Sequence, residues 1–321
     1  MKNSNNVIKP KALKKGDVIG VVATGSPLDE SRLNKGIKHI EQRGYKVKMP
    51  LSVSKFYGSD SMWANGSVKQ RLNAFKDLLL DKEVKAIISA RGGYGSLELL
   101  PFLDKKDFIN NPKPIVGLSD FCSLLCYQSF IAKITSIHAA SVGTSLADCE
   151  DIKKKDSALK DSDDLFEMLS NLNYLPEYKC EVLRPGKLGE ESEGRILATN
   201  LTVLCSILGT NFDFDFTDLI LVLEDVGEAP YKVHRMLTQL EQTGKFEKIK
   251  GLVFGRFAKC ESKNGPGIED VLSMFIEQNK HNFPVLKALE FGHWGRNVPL
   301  ALNCKAKISS EDLIILESAV C

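Results

Sequence analysis

The sequence has no C-x-x-C pair, no long apolar run and almost no net charge, and each absence excludes something. Its eight cysteines are scattered, and Cys122 and Cys126 lie four apart on an expected helix with no His-rich segment or second pair beside them. That spacing argues against a zinc site, and thiols of this kind are by default reduced and mostly buried. The apolar runs, such as Val18 to Ala23 and Leu219 to Leu223, are strand-sized. A membrane span needs ~20 residues, so none is expected. Met1 to Gly16 is polar and basic without an apolar centre, so no secretory signal is expected and the chain reads as cytoplasmic. A formal net charge of +2 leaves no electrostatic footprint for nucleic acid. Repeats and low-complexity tracts are absent as well.

What remains is an ordinary globular composition, 43% hydrophobic and 26% charged over 321 residues, long enough for two domains. The first half alternates strand and helix patterns. Strands are expected at Asp17 to Thr24, Tyr45 to Met49, Val84 to Ala90 and Pro114 to Gly117. Helices are expected at Ser31 to Arg43, Val68 to Leu80, Ser96 to Leu103 and Asp120 to about Ala132, with a polar stretch before Val68. Near-continuous apolar strands alternating with helices indicate a parallel sheet covered on both faces. Asp148 to Asp164 is dense in charge and reads as a solvated linker or surface helix, and Tyr174 to Glu190 is rich in turn residues. The chain is therefore divided into an N-terminal α/β domain (1–147), a linker (148–189) and a C-terminal domain (190–321). The second domain is expected to be mixed α and β. Its helices fall at Ile196 to Leu208, Tyr231 to Thr243 and Ile268 to Gln278. Its strands fall at Leu219 to Glu224, Lys250 to Phe257, Val285 to Leu289, Ala301 to Lys307 and Asp312 to Glu317.

Three features could carry chemistry. In Gly117-Leu118-Ser119-Asp120 a strand ends in a serine and a helix begins at once. A nucleophile elbow has that arrangement, and the N–H of Asp120 could then bind an oxyanion. The full G-x-S-x-G pattern is broken by Phe121, and Ser119 could equally be a helix N-cap. Arg91-Gly92-Gly93-Tyr94-Gly95 is a glycine-rich turn between a strand and a helix. It lacks the third glycine of a dinucleotide fingerprint and the lysine of a phosphate-binding loop. A second oxyanion donor from Gly92 or Gly93, or simply a tight loop, are the remaining readings. Of five histidines, His293 lies between glycines in Phe291-Gly292-His293-Trp294-Gly295. Glu224 ends the apolar strand LILVLE, an odd place for a charge unless it is paired. The chain order serine, acid, histidine is one of the known arrangements of a hydrolytic triad.

With those residues on the page, the chain resembles the LD-carboxypeptidases, the muramoyltetrapeptide carboxypeptidase family of serine peptidases, which includes the microcin C immunity peptidases. The matching pieces are Pro10 to Pro27, Ala90 to Gly95, Val116 to Asp120, Leu223 to Met236 and Phe291 to Leu300. The resemblance implies Ser119 as nucleophile, Glu224 as acid and His293 as base, with the backbone N–H groups of Gly93 and Asp120 as the oxyanion hole. It implies an N-terminal domain with nucleophile-elbow geometry and a smaller C-terminal domain carrying Glu224 and His293, with the active site at their interface. It implies a homodimer that needs no metal or cofactor and cleaves a terminal D-alanine from a murein tetrapeptide in peptidoglycan recycling. A peptidyl-nucleotide of the microcin type is the alternative substrate, and a non-catalytic small-ligand binding protein the alternative class. Arg91, then Arg235, are the candidates for the leaving carboxylate. The chain departs from the family at His138-Ala139-Ala140, where His-Gly-Pro is usual, and at Ala198-Thr199-Asn200-Leu201, where Gly-Gly-Asn-Leu is usual.

Overall fold

The computed structural model describes residues 6–50, 63–151, 153–186, 191–288 and 290–321. Most of the polar stretch before Val68, Gly189 of the turn-rich segment and Leu289 of the expected Val285 to Leu289 strand lie outside them. Two compact units emerge. The first comprises Met1–Tyr174 together with Pro299–Asn303 and Ser318–Cys321, and the second Leu175–Val298 and Cys304–Glu317.

The first unit contains β1 (Val18–Val22), α1 (Glu30–Gln42), β2 (Lys46–Lys48), α2 (Val68–Leu80), β3 (Val84–Ser89), α3 (Lys105–Asn110), β4 (Ile115–Gly117), α4 (Cys122–Cys126), β5 (Ser136–His138) and α5 (Lys155–Ser170). The helix starts are written locally. Asp29 accepts a hydrogen bond from the Arg32 N–H ahead of α1, and Ser67 and Gln70 form a reciprocal capping box at α2. Strands β1 to β5 pair in parallel in the order β5-β4-β3-β1-β2. Ile19, Val21, Val22, Ile87, Ile88, Ile115 and Val116 are fully buried, as a sheet covered on both faces requires. The charged segment read as a linker or surface helix holds α5, whose Leu165, Phe166 and Leu169 are buried.

The second unit contains β6 (Glu177–Lys179), β7 (Glu181–Arg184), β8 (Ser192–Asn200), α6 (Leu201–Ile207), β9 (Leu219–Val226), α7 (Pro230–Gln242), β10 (Gly251–Ala258), α8 (Ile268–Gln278), β11 (Val285–Lys287), β13 (Lys305–Ser309) and β14 (Asp312–Ile315). Its sheet runs β6-β14-β13-β8-β9-β10-β11-β7, with β8 to β11 parallel and antiparallel strands on either side. Both units are thus α/β, the second with the more mixed sheet.

Two expectations need correction. Ile196 to Asn200 is strand, and helix begins only at Leu201. Ile196, Leu197 and Ala198 are buried and pair with β9, and a run apolar on every face looks the same in a buried strand as in a buried helix. Ala301 to Lys307 is two strands. The chain turns at Asn303, φ +63°, and β12 (Leu300–Leu302) pairs antiparallel with β5 while β13 joins the other sheet. One continuous apolar pattern conceals a change of partner sheet.

Candidate active site

In the first unit, β4 ends at Gly117 and Ser119 follows with φ +63°. A left-handed serine at a strand end, followed by a helical turn at Ser119–Phe121, is the strained geometry of a nucleophile elbow. Leu118 is the N-cap of that turn and Ser119 its first residue, so Ser119 is not the N-cap. Phe121, which spoils the motif in sequence, is fully buried, and a Cβ on Gly117 would come within 2.5 Å of its ring. The small residue of this elbow therefore sits before the serine rather than after it.

The glycine-rich loop lies against this turn. A Cβ on Gly92 would stand 2.7 Å from the Ser119 Cβ and 3.0 Å from its Oγ, so only glycine lets the backbone approach so closely. Gly93 has φ +111°, and a Cβ there would meet Ser26 Oγ at 2.3 Å. The Ser26 hydroxyl accepts from the Tyr94 N–H at 3.1 Å and donates to the Trp63 carbonyl at 3.0 Å. Asp120 ties the loop down further: its carboxylate accepts from the Gly95 N–H at 3.2 Å and the Ser96 N–H at 2.7 Å. Burial raises the Asp120 pKa, while the Ser96 and Gly95 hydrogen bonds and the Arg71 charge oppose that rise. Arg71, 2% exposed, donates from Nη1 to the carbonyls of Thr24 (2.7 Å) and Gly95 (2.6 Å) and from Nη2 to Glu98 (2.6 Å).

In the second unit, β9 carries Glu224 at a position with no solvent exposure. His293 Nδ1–H donates to Glu224 Oε2 at 2.6 Å, and the His293 backbone N–H approaches the same oxygen at 3.3 Å. A carboxylate can only accept, so the ring proton sits on Nδ1 and Nε2 is left with a lone pair. Burial pulls the His293 pKa down, but the hydrogen bond and charge of Glu224, with Asp225 behind it, outweigh this and leave it raised. The other Glu224 oxygen accepts from Asn200 Nδ2 at 3.1 Å, and the same amide donates to Asp225 Oδ1 at 3.0 Å. Asp225 Oδ2 accepts from the Thr202 N–H (3.0 Å) and Oγ1 (2.7 Å). Burial raises the Asp225 pKa, with the Glu224 charge adding to that rise.

The structure thus pairs two of the expected residues, Glu224 and His293, and gives Ser119 and the loop containing Gly93 their expected local setting. Arg91 is exposed and donates to the Pro27 carbonyl at 2.9 Å. Arg235 is exposed on α7, its guanidinium 5.5 Å from the Tyr231 ring centroid. Ala139, Ala140, Ala198 and Thr199, where the chain departs from the family pattern, are all fully buried. Arg71, Asp225 and Thr202 were not legible as site residues. A buried arginine or aspartate has no sequence signature of its own, because its partners are distant in the chain.

Models of the LD-carboxypeptidase N-terminal domain and C-terminal domain match residues 19–139 and 193–308. A putative carboxypeptidase of Synechocystis is 32% identical over 95% of this chain and 96% of its own length. The chain belongs to the LD-carboxypeptidase family. A probable murein peptide carboxypeptidase of Bacillus subtilis is 29% identical over 97% of this chain and 95% of its own length. The microcin C7 self-immunity protein MccF of Escherichia coli is 25% identical over 92% of each chain. Among solved structures, a muramoyltetrapeptide carboxypeptidase from Oxalobacter formigenes superposes with a TM-score of 0.79 at 25% identity, covering 93% of this chain and 98% of its own. MccF in complex with glutamyl sulfamoyl guanosine superposes with a TM-score of 0.86 at 20% identity, covering 98% of this chain and 100% of its own. This LD-carboxypeptidase relative is therefore a two-domain α/β peptidase. Among the described residues no helix is long and apolar enough to cross a membrane.

Proposed function

We propose that this family member is a serine LD-carboxypeptidase that hydrolyses the amide between an L-linked diamino acid and the terminal D-alanine of a murein tetrapeptide. The observation that carries the reading is the short hydrogen bond from His293 Nδ1 to a Glu224 with no solvent exposure. It gives a base with its Nε2 lone pair free, and a strained serine is the nucleophile such a base serves. His293 takes the Ser119 proton as Oγ attacks the carbonyl, and Glu224 holds the tautomer and stabilises the imidazolium. The N–H groups of Gly93 and Asp120 bind the oxyanion, each lowering the barrier by about 3 kcal/mol. His293 then protonates the leaving D-alanine nitrogen, and water attacks the acyl-enzyme with His293 again as base. Arg91, with Arg235 second, is assigned to the leaving carboxylate; Arg91→Ala is expected to raise KM or lower kcat, and an unchanged kcat/KM removes it from that role. Family resemblance supports a cytoplasmic homodimer, which light scattering and cell fractionation test directly.

Mass spectrometry of muropeptides incubated with wild type and Ser119→Ala tests the whole reading. Loss of D-alanine with wild type only is expected, and activity persisting in Ser119→Ala would sink the assignment. The match to MccF favours a second reading, cleavage of a microcin-type peptidyl-nucleotide. Profiling both substrates decides between them, and labelling of Ser119 by a fluorophosphonate excludes a non-catalytic binding protein.

A further inference from the structure

Open α/β sheets take their ligands beyond the carboxyl ends of their parallel strands. In the second unit that edge carries more than Glu224 on β9 and His293 after β11. Lys259 is the first residue after β10, and Trp294 directly follows His293. The Lys259 ammonium lies 3.7 Å from the Trp294 ring centroid. Both side chains are exposed, Trp294 by 57%. Among the described residues, no carboxylate pairs with Lys259.

The backbone at both positions is left-handed, φ +54° at Lys259 and +65° at Trp294. For residues with a Cβ this conformation is strained. A cation–π contact exposed to water is weak. The contact therefore does not offset the strain that presents it, and the fold gains nothing evident from holding a large aromatic ring in water. Strain of this kind, next to a candidate catalytic base, is typical of a ligand-binding feature. A Cβ on Gly295 would stand 2.5 Å from Arg256 Nη1, which places a second cation behind the loop, while Arg296 is matched by Glu290 at 3.8 Å.

We propose that Lys259 and Trp294 form an anion subsite beside His293 that takes a free carboxylate of the peptide substrate. The ammonium binds the carboxylate, and the ring face supports both the ammonium and the adjoining peptide. The subsite rests on the carboxypeptidase reading and assigns a specificity role to two residues outside the triad.

The test uses the full chain with murein tetrapeptide and with tetrapeptides amidated at one free carboxylate at a time. Lys259→Gln is expected to raise KM about tenfold on the free peptide with kcat within twofold, and Lys259→Arg to restore most of it. On one of the amidated peptides wild type and Lys259→Gln should have the same, weakened KM, which identifies the carboxylate bound. Trp294→Leu should raise KM severalfold. Calorimetric titration of tetrapeptide into Ser119→Ala, with and without Lys259→Gln, reads the same loss as Kd without turnover. A KM and Kd within twofold of the parent, or an equal loss on every amidated peptide, overturns the subsite while D-alanine release by wild type leaves the carboxypeptidase reading intact. Wild type releasing D-alanine from none of the peptides overturns both.

Discussion

His293 is held between two opposing effects, and their balance sets the pH behaviour of the enzyme. Burial favours the neutral ring and the Glu224 carboxylate favours the charged one, and the carboxylate wins. A general base must be neutral, so kcat/KM should fall as the pH drops through a His293 pKa raised above that of an ordinary imidazole. Glu224→Gln should move this acidic limb to lower pH and cut kcat by roughly 10³–10⁴-fold, since the tautomer is no longer enforced. A pH–rate profile of the two proteins checks both, and an unmoved limb would assign it to another group. The stability sign runs the same way: with its folded pKa raised, His293 contributes stability that is complete below its unfolded pKa and lost as the pH rises through the folded value. At this scale the strand-to-helix setting of Ser119 was legible, because only Leu118 separates the apolar strand from the helical turn. Its left-handed φ was not, because nothing in the letter S distinguishes an N-cap from an elbow.

The loop at 91–95 and the turn at Ser119 behave as one element, since Asp120 supplies one expected oxyanion donor from its backbone and holds the other donor's loop with its carboxylate. Gly92→Ala should lower kcat by at least about 100-fold, because its methyl group would stand 2.7 Å from the Ser119 Cβ and the backbone must retreat. Thermal melting within a few degrees of wild type would accompany that loss, and undiminished kcat would show that the loop is not part of the oxyanion site. On the other side, Asn200 joins β8 to α6: its Oδ1 accepts from the Val203 N–H and its amide bridges Glu224 and Asp225. Asn200→Ala should cost about 1–2 kcal/mol of stability through the lost cap, measurable by urea unfolding. It should also shift the acidic limb of kcat/KM, because Glu224 loses the donor opposite His293. The helix α6 was visible in sequence, but the strand before it was read as its first turns. Apolar residues at Ile196, Leu197 and Ala198 fit either geometry until β9 pairs with them.

For the whole molecule, the decisive feature is that the first unit is not continuous in sequence. β12 closes its sheet at β5, and the C-terminal residues return to it through Ala12 N–H to the Cys321 carbonyl, Cys321 N–H to the Pro10 carbonyl and Thr135 Oγ1 to the Ala319 carbonyl, at 2.9, 2.8 and 2.6 Å. A fragment of residues 1–174 loses these bonds and the buried Leu300, Leu302 and Val320, each contributing roughly 1.5–3 kcal/mol by burial, and it exposes β5 as an open edge. It should therefore aggregate or melt at least about 10 °C below the full chain by circular dichroism. A fragment as stable as the parent would show that the returning segments are dispensable. Local pattern was enough for the α/β class, for most helices and strands of both units and for the setting of Ser119, because periodicity, caps and a strand-to-helix serine are properties of neighbours along the chain. Folding alone makes Ile196 to Asn200 a strand, lets Asn200 bridge Glu224 and Asp225, lays Lys259 on Trp294, and sends Leu300 to Leu302 to a different sheet from β13. Each of these is a pairing between residues far apart in sequence, and such a pairing exists only once burial has removed the alternatives.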